Sequence, residues 1–446
     1  MNGAQAIARF VADTPLAAIP GPALERARTC LVDTLGAALG GSRLRAGRIA
    51  LALVDGEPER GGATLLTAGR KAGLGQAAFA NAVLASALDV DDGHYASVSH
   101  PGAVVVPAAL AAAEARRRSG REVLGAIVVG YEVAIRAAAV LNARPRERSY
   151  GSGAPGAYGA AASVARLLGL DAGRTAHALG ITACHLPVAT VDGIACGAMT
   201  KESVGWGALT GAVAALLAEQ GFTGPESALD EPHHRGESDQ APLADLGTRY
   251  RIAEVYVKRF PACLMAHAAV DAALELRGRL GLRVEDIAAV TVWTQRGAVA
   301  LDDPAPRSSA GAQYSIPYTV AAALVEGALG VEQILEERLG DARIRALAAR
   351  VEVRHDPRFD PMHPARRPAR VAIRTVGGQT HEREVLVIRG CAEDPLAPGE
   401  VEAKFLGLAQ PVVGKAQADR ILCLLREVDT SSDLSPLWQA LTEDGW

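Results

Sequence analysis

Aromatic residues are scarce in this chain, at 4% of 446 positions against 49% hydrophobic residues overall. The apolar mass is therefore Ala, Leu and Val beside 47 glycines. Small residues let helix backbones approach, so closely packed helices are expected. Lysine is scarcer still: among 46 basic residues only Lys71, Lys201, Lys258, Lys404 and Lys415 are not Arg. Arginine supplies the generic positive charge here, which leaves lysine for work that needs an ammonium able to lose its proton when desolvated. Cys30, Cys184, Cys196, Cys263, Cys391 and Cys423 include no C-x-x-C pair. That argues against a zinc knuckle or a disulfide framework and for a reducing cytoplasm. There is no basic stripe either, and the net charge is −4, so nucleic acid is not an expected partner. Arg9 and Asp13 interrupt the N-terminus, which lacks the core of a signal peptide. Apolar runs such as 102–113 fall short of the roughly 18 residues a membrane span needs, so a soluble, cytoplasmic protein without a membrane partner is expected.

What the chain does have is length and periodicity. At 446 residues it exceeds one simple core, and two domains are expected. Residues from about 4 to about 220 read as successive helices at 23–39, 76–88, 105–118, 122–141, 157–168 and 203–220, each with apolar residues at three- and four-residue spacing. After about residue 255 the texture changes. Period-two strands appear at 289–295, 349–354, 370–376 and 380–388, the last two flanking the turn signal Gly377-Gly378. Helical runs at 266–276, 317–326 and 331–339 lie among them, and helix returns at 401–408 and 415–427. The expected fold class is mainly α with a smaller α+β part. A large helical domain is built from 1–255 and 392–446, with an α+β domain at 256–391 inserted between.

Titratable groups concentrate in one place. L-D-V-D-D-G-H-Y-A-S-V-S-H-P-G at 88–102 puts Asp89, Asp91, Asp92, His94 and His100 in a loop between two apolar helical runs. Loops held by rigid helices are where catalytic side chains collect, whereas a plain connection would use its Asp residues only as caps. A second segment, Gly151-Ser152-Gly153-Ala154-Pro155-Gly156, matches G-x-G-x-x-G. The dinucleotide reading of that motif requires a preceding strand, and an Ala-rich helix precedes it here. Its glycines instead suit a helix N-terminus brought close to an anionic ligand group.

Further segments complete a pattern: G-Y-E-V at 130–133, G-A-Y-G-A-A at 156–161, T-K at 200–201, G-F-T-G-P at 221–225, K-R-F-P-A-C with a later His and Asp over 258–272, and Q-Y-S-I-P-Y at 313–318. In order and spacing, over nearly the whole chain, these resemble the MmgE/PrpD family. That family includes 2-methylcitrate dehydratase, cis-aconitate decarboxylase and an iminodisuccinate epimerase. The resemblance implies a helical domain from both chain ends, a smaller α+β lid, a homodimer, and a pocket between domain and lid that uses neither a metal nor an organic cofactor. It places pocket residues on Asp89, His100, Lys201, Lys258 and Tyr318. Three positions depart from the family pattern: Gly93 stands for a Thr, Tyr150 for a His, and Cys263 for a second His.

Those residue types suit proton transfer beside a carboxylate. Lys201 and Lys258 can clamp carboxylates, and one of them can act as a base if desolvation lowers its pKa. An imidazole at His100 passes a proton either way, and Asp89 can abstract one or orient the imidazole. Tyr150 and Tyr318 offer phenolic protons, and Asp92 and Gly153 join the lysines as substrate-binding candidates. The expected function is a cofactor-independent lyase acting on a small di- or tricarboxylate by dehydration or decarboxylation. An epimerase of an amino- or imino-dicarboxylate is the alternative. Two further classes are a metal-dependent hydrolase with Asp89, Asp91, His94 and His100 as ligands, and a binding protein that has lost turnover. Plainer readings stand beside these: Lys258 as a surface charge, Tyr318 as a core residue, Cys263 as a buried thiol, and solvated His233 and His234. His267 and Asp271, four apart on one helical face, are expected to pair beneath the pocket.

Overall fold

The computed structural model describes residues 3–54, 62–142, 151–189, 197–229 and 243–442. The chain is mainly α with a smaller α+β part. Helices Gly21–Gly41, Leu74–Ala87, Gly102–Arg116, Gly120–Asn142, Gly153–Leu168 and Val204–Glu219 cover the six periodic runs of the first half. Glycines set how closely they pack. A Cβ added at Gly159 would lie 2.5 Å from the Gly130 carbonyl oxygen, and one at Gly211 would lie 2.3 Å from that of Ala157. Neither gap admits a methyl group, so three helices meet there backbone to backbone. Within the fourth helix, Gly120–Leu141 is long and apolar enough to cross a membrane, but it is almost wholly buried in this helical core. Its Glu132 and Arg136 form an enclosed ion pair.

A small hairpin, β1 (Ala63–Leu65) with β2 (Arg70–Ala72), joins the helical half. Three-residue strands are too short to show alternation, so the sequence carries no sign of it. The main sheet follows later: β3 (Ile287–Thr294), β4 (Val351–His355), β5 (Ala369–Thr375) and β6 (Thr380–Val385), in the order β4-β3-β5-β6. β3 and β4 run parallel, which requires a crossover, and helix Ile316–Glu326 lies in that connection. β5 and β6 form the expected hairpin, with Gly378 at φ +84° in its turn. The helix expected over 331–339 breaks at Leu335, whose extended backbone separates Val331–Ile334 from the turn Glu336–Arg338. The break lets Ile334 and Leu335 both face inward. The last long helix, Pro398–Arg426, is interrupted at Gly414 (φ +72°, ψ +161°) and packs on Gly21–Gly41, where Gly36 leaves room for Phe405.

Buried apolar side chains form two clusters. One draws on 7–255 and 401–441; the other draws on 256–391 together with Ala37, Leu44, Ala87, Leu88, Val90 and Leu408. Leu88 and Val90 belong to the acidic loop, so that loop starts where the two cores touch.

Candidate active site

Helix Leu74–Ala87 ends at Leu88, and Asp89 then takes a left-handed backbone with φ +54°. That conformation costs a non-glycine residue about 1 kcal/mol, so its surroundings must hold it. The Lys258 Nζ donates to the Asp89 carbonyl oxygen at 2.9 Å and to its Oδ1 at 3.0 Å. Lys201 approaches the same Oδ1 at 4.0 Å from the other side. Lys201 is itself left-handed (φ +45°), in a turn closed by its N–H on the Ala198 carbonyl at 3.0 Å. The Lys201 Nζ donates to Gln313 Oε1 and lies 5.8 Å from the centre of the Tyr314 ring. Gln313 is anchored in turn by its Nε2 on the Ala87 carbonyl at 3.0 Å. Lys404 donates to the Val90 carbonyl at 2.7 Å and to Asp33. Three of the five lysines are thus spent on residues 89 and 90.

The two lysines at Asp89 are not equivalent. Burial alone would raise the Asp89 carboxyl, but Lys258, then Lys201 and His100, outweigh it and hold it at about 2. Burial pulls Lys258 down, yet the Asp89 and Asp91 carboxylates more than compensate and keep its ammonium above the ordinary value. For Lys201 burial prevails over the same carboxylates, and its pKa falls. Lys201 is therefore the less tightly paired of the two ammonium groups, 4.0 Å from Asp89 Oδ1 against 3.0 Å for Lys258. The Lys258 side chain is fully enclosed, and its paired ammonium favours the ionised form of Asp89.

His100 is fixed at three points. Its backbone N–H donates to Ser152 Oγ at 2.8 Å, and Ser152 donates onward to Glu202. Its Nδ1 lies 2.7 Å from the Asp92 carbonyl oxygen and 3.8 Å from Asp91 Oδ2. A carbonyl can only accept, so Nδ1 carries the proton and Nε2 keeps its lone pair.

Asp89, His100, Lys201 and Lys258 come together, whereas three other expected site residues, Asp92, Gly153 and Tyr318, have their polar groups engaged elsewhere. Asp92 is fully buried, with Oδ1 accepting from the Gly102 N–H at 3.0 Å and Oδ2 from the Tyr131 hydroxyl at 2.6 Å. Burial raises its carboxyl to about 6. Both of its carboxyl oxygens are thus engaged within the protein. The Gly153 N–H is spent on the Glu202 carbonyl at 2.9 Å, and a Cβ there would lie 2.4 Å from the Ser203 oxygen, so this glycine admits protein backbone, not an anion. Tyr318 is enclosed in the second core, and its hydroxyl donates to the Gln333 carbonyl at 2.7 Å. Tyr314, four residues earlier in the same segment, is the tyrosine beside Lys201. Tyr150 lies outside the described residues, as do His233 and His234.

The proposed metal ligands do not converge. His94 turns away from Asp89, with Nδ1 at 3.0 Å from Ser97 and Nε2 at 3.3 Å from Glu254. Among the described residues no group of three His, Cys, Asp or Glu side chains is placed to hold a metal ion. His267 and Asp271 do not pair. The His267 Nε2 faces the Ala262 carbonyl at 3.2 Å, and Asp271 takes Arg259 at 2.6 Å. Cys263 precedes helix Leu264–Leu280, and burial, then Asp89, push its thiol up to about 11, so it stays neutral. Sequence reasoning missed Ser152, Glu202, Gln313 and Tyr314. Each adjoins or lies within a segment already singled out, and adjacency was the available signal.

A mainly helical molecule thus holds the buried Asp89 carboxylate against Lys258 and near Lys201, in a loop that also carries a histidine in a fixed tautomer. The MmgE/PrpD N-terminal domain matches residues 5–237 and the MmgE/PrpD C-terminal domain matches residues 260–430. The chain belongs to the MmgE/PrpD family. It is 28% identical to the cis-aconitate decarboxylase-like protein oryM of Aspergillus oryzae, over 94% of this chain and 93% of that one. It is 26% identical to the cis-aconitate decarboxylase of Aspergillus terreus over 95% and 92%. To the human cis-aconitate decarboxylase it is 27% identical over 81% and 78%.

Proposed function

We propose that this protein is a lyase acting on a small di- or tricarboxylate, with decarboxylation of an unsaturated tricarboxylate of the cis-aconitate kind as its leading reaction. The Lys201–Asp89–Lys258 cluster beside His100 carries this reading, and the relatives named above support the decarboxylation. Loss of CO2 leaves the bonding electron pair on the substrate, delocalised towards a neighbouring carboxylate. A proton must then be delivered to carbon. Protonated at Nε2, His100 can deliver it and return to the neutral tautomer that the Asp92 carbonyl holds. The Lys201 ammonium faces the developing negative charge and, with its lowered pKa, can release a proton more readily than an exposed lysine. Asp89, kept ionised by Lys258, positions Lys201 and balances its charge.

The site lies between a helical body (1–255 and 392–446) and an α+β lid (256–391), a division that the two apolar clusters support. A homodimer forms through the face that carries exposed Ile49, Leu53, Trp206 and Val213. The five described cysteines are free, which supports a cytoplasmic setting. The test is proton NMR in D2O over cis-aconitate, 2-methylcitrate, citrate and iminodisuccinate. Loss of CO2 or water with a new alkene product is expected. Deuterium exchange with inversion and no alkene would replace the lyase by an epimerase, and a panel left unchanged would refute both.

A further inference from the structure

The Tyr256 side chain lies against the acidic loop, and its hydroxyl takes no part in the hydrogen bonds that hold that loop. Its backbone pairs with Gly93, Gly93 N–H to the Tyr256 carbonyl at 3.1 Å and Tyr256 N–H to the Gly93 carbonyl at 2.8 Å. The ring then folds over Gly93. A Cβ built on Gly93 would lie 2.2 Å from the Tyr256 hydroxyl oxygen and 2.4 Å from the ring carbon that bears it. The phenol thus fills the space that any side chain at position 93 would occupy. The Gly93 backbone is not left-handed, so space, not conformation, is what demands glycine there. The ring is held tilted against Tyr95, centroids 4.8 Å apart, and edge-on to the His100 imidazole at 6.3 Å and 90°. Residue 256 is only 5% exposed, yet among the described residues its hydroxyl finds no hydrogen-bond partner. The hydroxyl is not among the fully enclosed unpartnered atoms, so it keeps some accessible surface, and an unengaged donor of that kind beside reactive groups is open to a ligand atom.

We propose that the Tyr256 hydroxyl is a substrate-binding donor of this site, hydrogen-bonding a carboxylate of the ligand next to the carbon that His100 serves. The inference rests on the carboxylate-lyase reading and adds to it the donor that replaces a side chain at position 93. Burial, with Tyr95, Asp91 and Asp89 nearby, keeps this phenol protonated far beyond neutral pH, so it donates and does not abstract. Tyr256 and Gly93 therefore form one unit, in which the glycine makes room and the phenol supplies the donor.

The experiment uses the full chain and measures turnover and calorimetric binding of cis-aconitate, 2-methylcitrate, citrate and iminodisuccinate. Tyr256→Phe keeps the ring and its packing and should melt within a few degrees of wild type, while kcat/KM and affinity for the best substrate fall about 10- to 100-fold. Tyr256→Ala with Gly93→Thr returns a hydroxyl to the emptied space and should recover at least about fivefold over Tyr256→Ala alone. Wild-type kcat/KM and affinity in Tyr256→Phe would overturn this inference and leave the proposed function standing. So would a Tyr256→Phe variant that loses both activity and stability, if the double variant recovered nothing. A wild type that neither binds nor converts any of the four compounds would overturn the proposed function and this inference together.

Discussion

At the scale of single residues, the two lysines at Asp89 are held differently. Lys258 is buried and paired, Lys201 is buried and only loosely paired, and Asp89 stands between them. Lys201→Ala should leave a folded protein with kcat/KM lowered about 10²- to 10³-fold, as for loss of a group that stabilises developing charge; steady-state kinetics on the best panel substrate reads this. Asp89→Asn removes the counter-charge of an enclosed ammonium and should cost about 3–5 kcal/mol at neutral pH. The folded Asp89 carboxyl sits at about 2, below its unfolded value. Its stabilising contribution is therefore complete above pH 4 and is lost as the pH falls towards 2. Urea midpoints of wild type and Asp89→Asn should accordingly draw together over that interval. A gap that stays constant down to pH 2 would contradict the pairing.

At the scale of elements, helices meeting at glycine explain how so few aromatics build so large a core. A valine at position 211 would drive its Cβ into the Ala157 carbonyl, so Gly211→Val should lower stability by at least about 1–3 kcal/mol. Thermal unfolding would show it, and an unchanged melting point would mean that the helices are farther apart than described. The long helices and the main sheet were legible because each repeats its period over enough residues to stand out. The β1–β2 hairpin was not legible, since three residues cannot display alternation, and neither was the break at Leu335, which follows from packing against other elements. The site divided along similar lines. Asp89, His100, Lys201 and Lys258 were readable from their segments. Asp92, Gly153 and Tyr318 have the right chemistry, but tertiary contacts consume it: Tyr131 and Gly102 for the first, Glu202 for the second, Gln333 for the third. Only the fold reveals which polar group is already satisfied, and the idle Tyr256 hydroxyl is the converse case.

At the scale of the whole molecule, the proposed dimer face would couple assembly to the site, because exposed Met199 and Trp206 flank the segment that carries Lys201. If the proposed dimer forms here, the wild type should sediment as a dimer and Trp206→Asp as a monomer with lowered activity; a monomeric wild type, or a variant still dimeric and fully active, would rule this face out. The proposed function requires a ligand carboxylate at Lys201 with its neighbouring carbon beside His100. The most direct measurement is a crystal structure with tricarballylate, a saturated tricarboxylate that cannot react. A carboxylate oxygen is expected at about 3 Å from the Lys201 Nζ, with a methylene carbon facing His100 Nε2 and Lys258 still bonded to Asp89. Tricarballylate bound elsewhere, with Lys201 and His100 untouched, would contradict it.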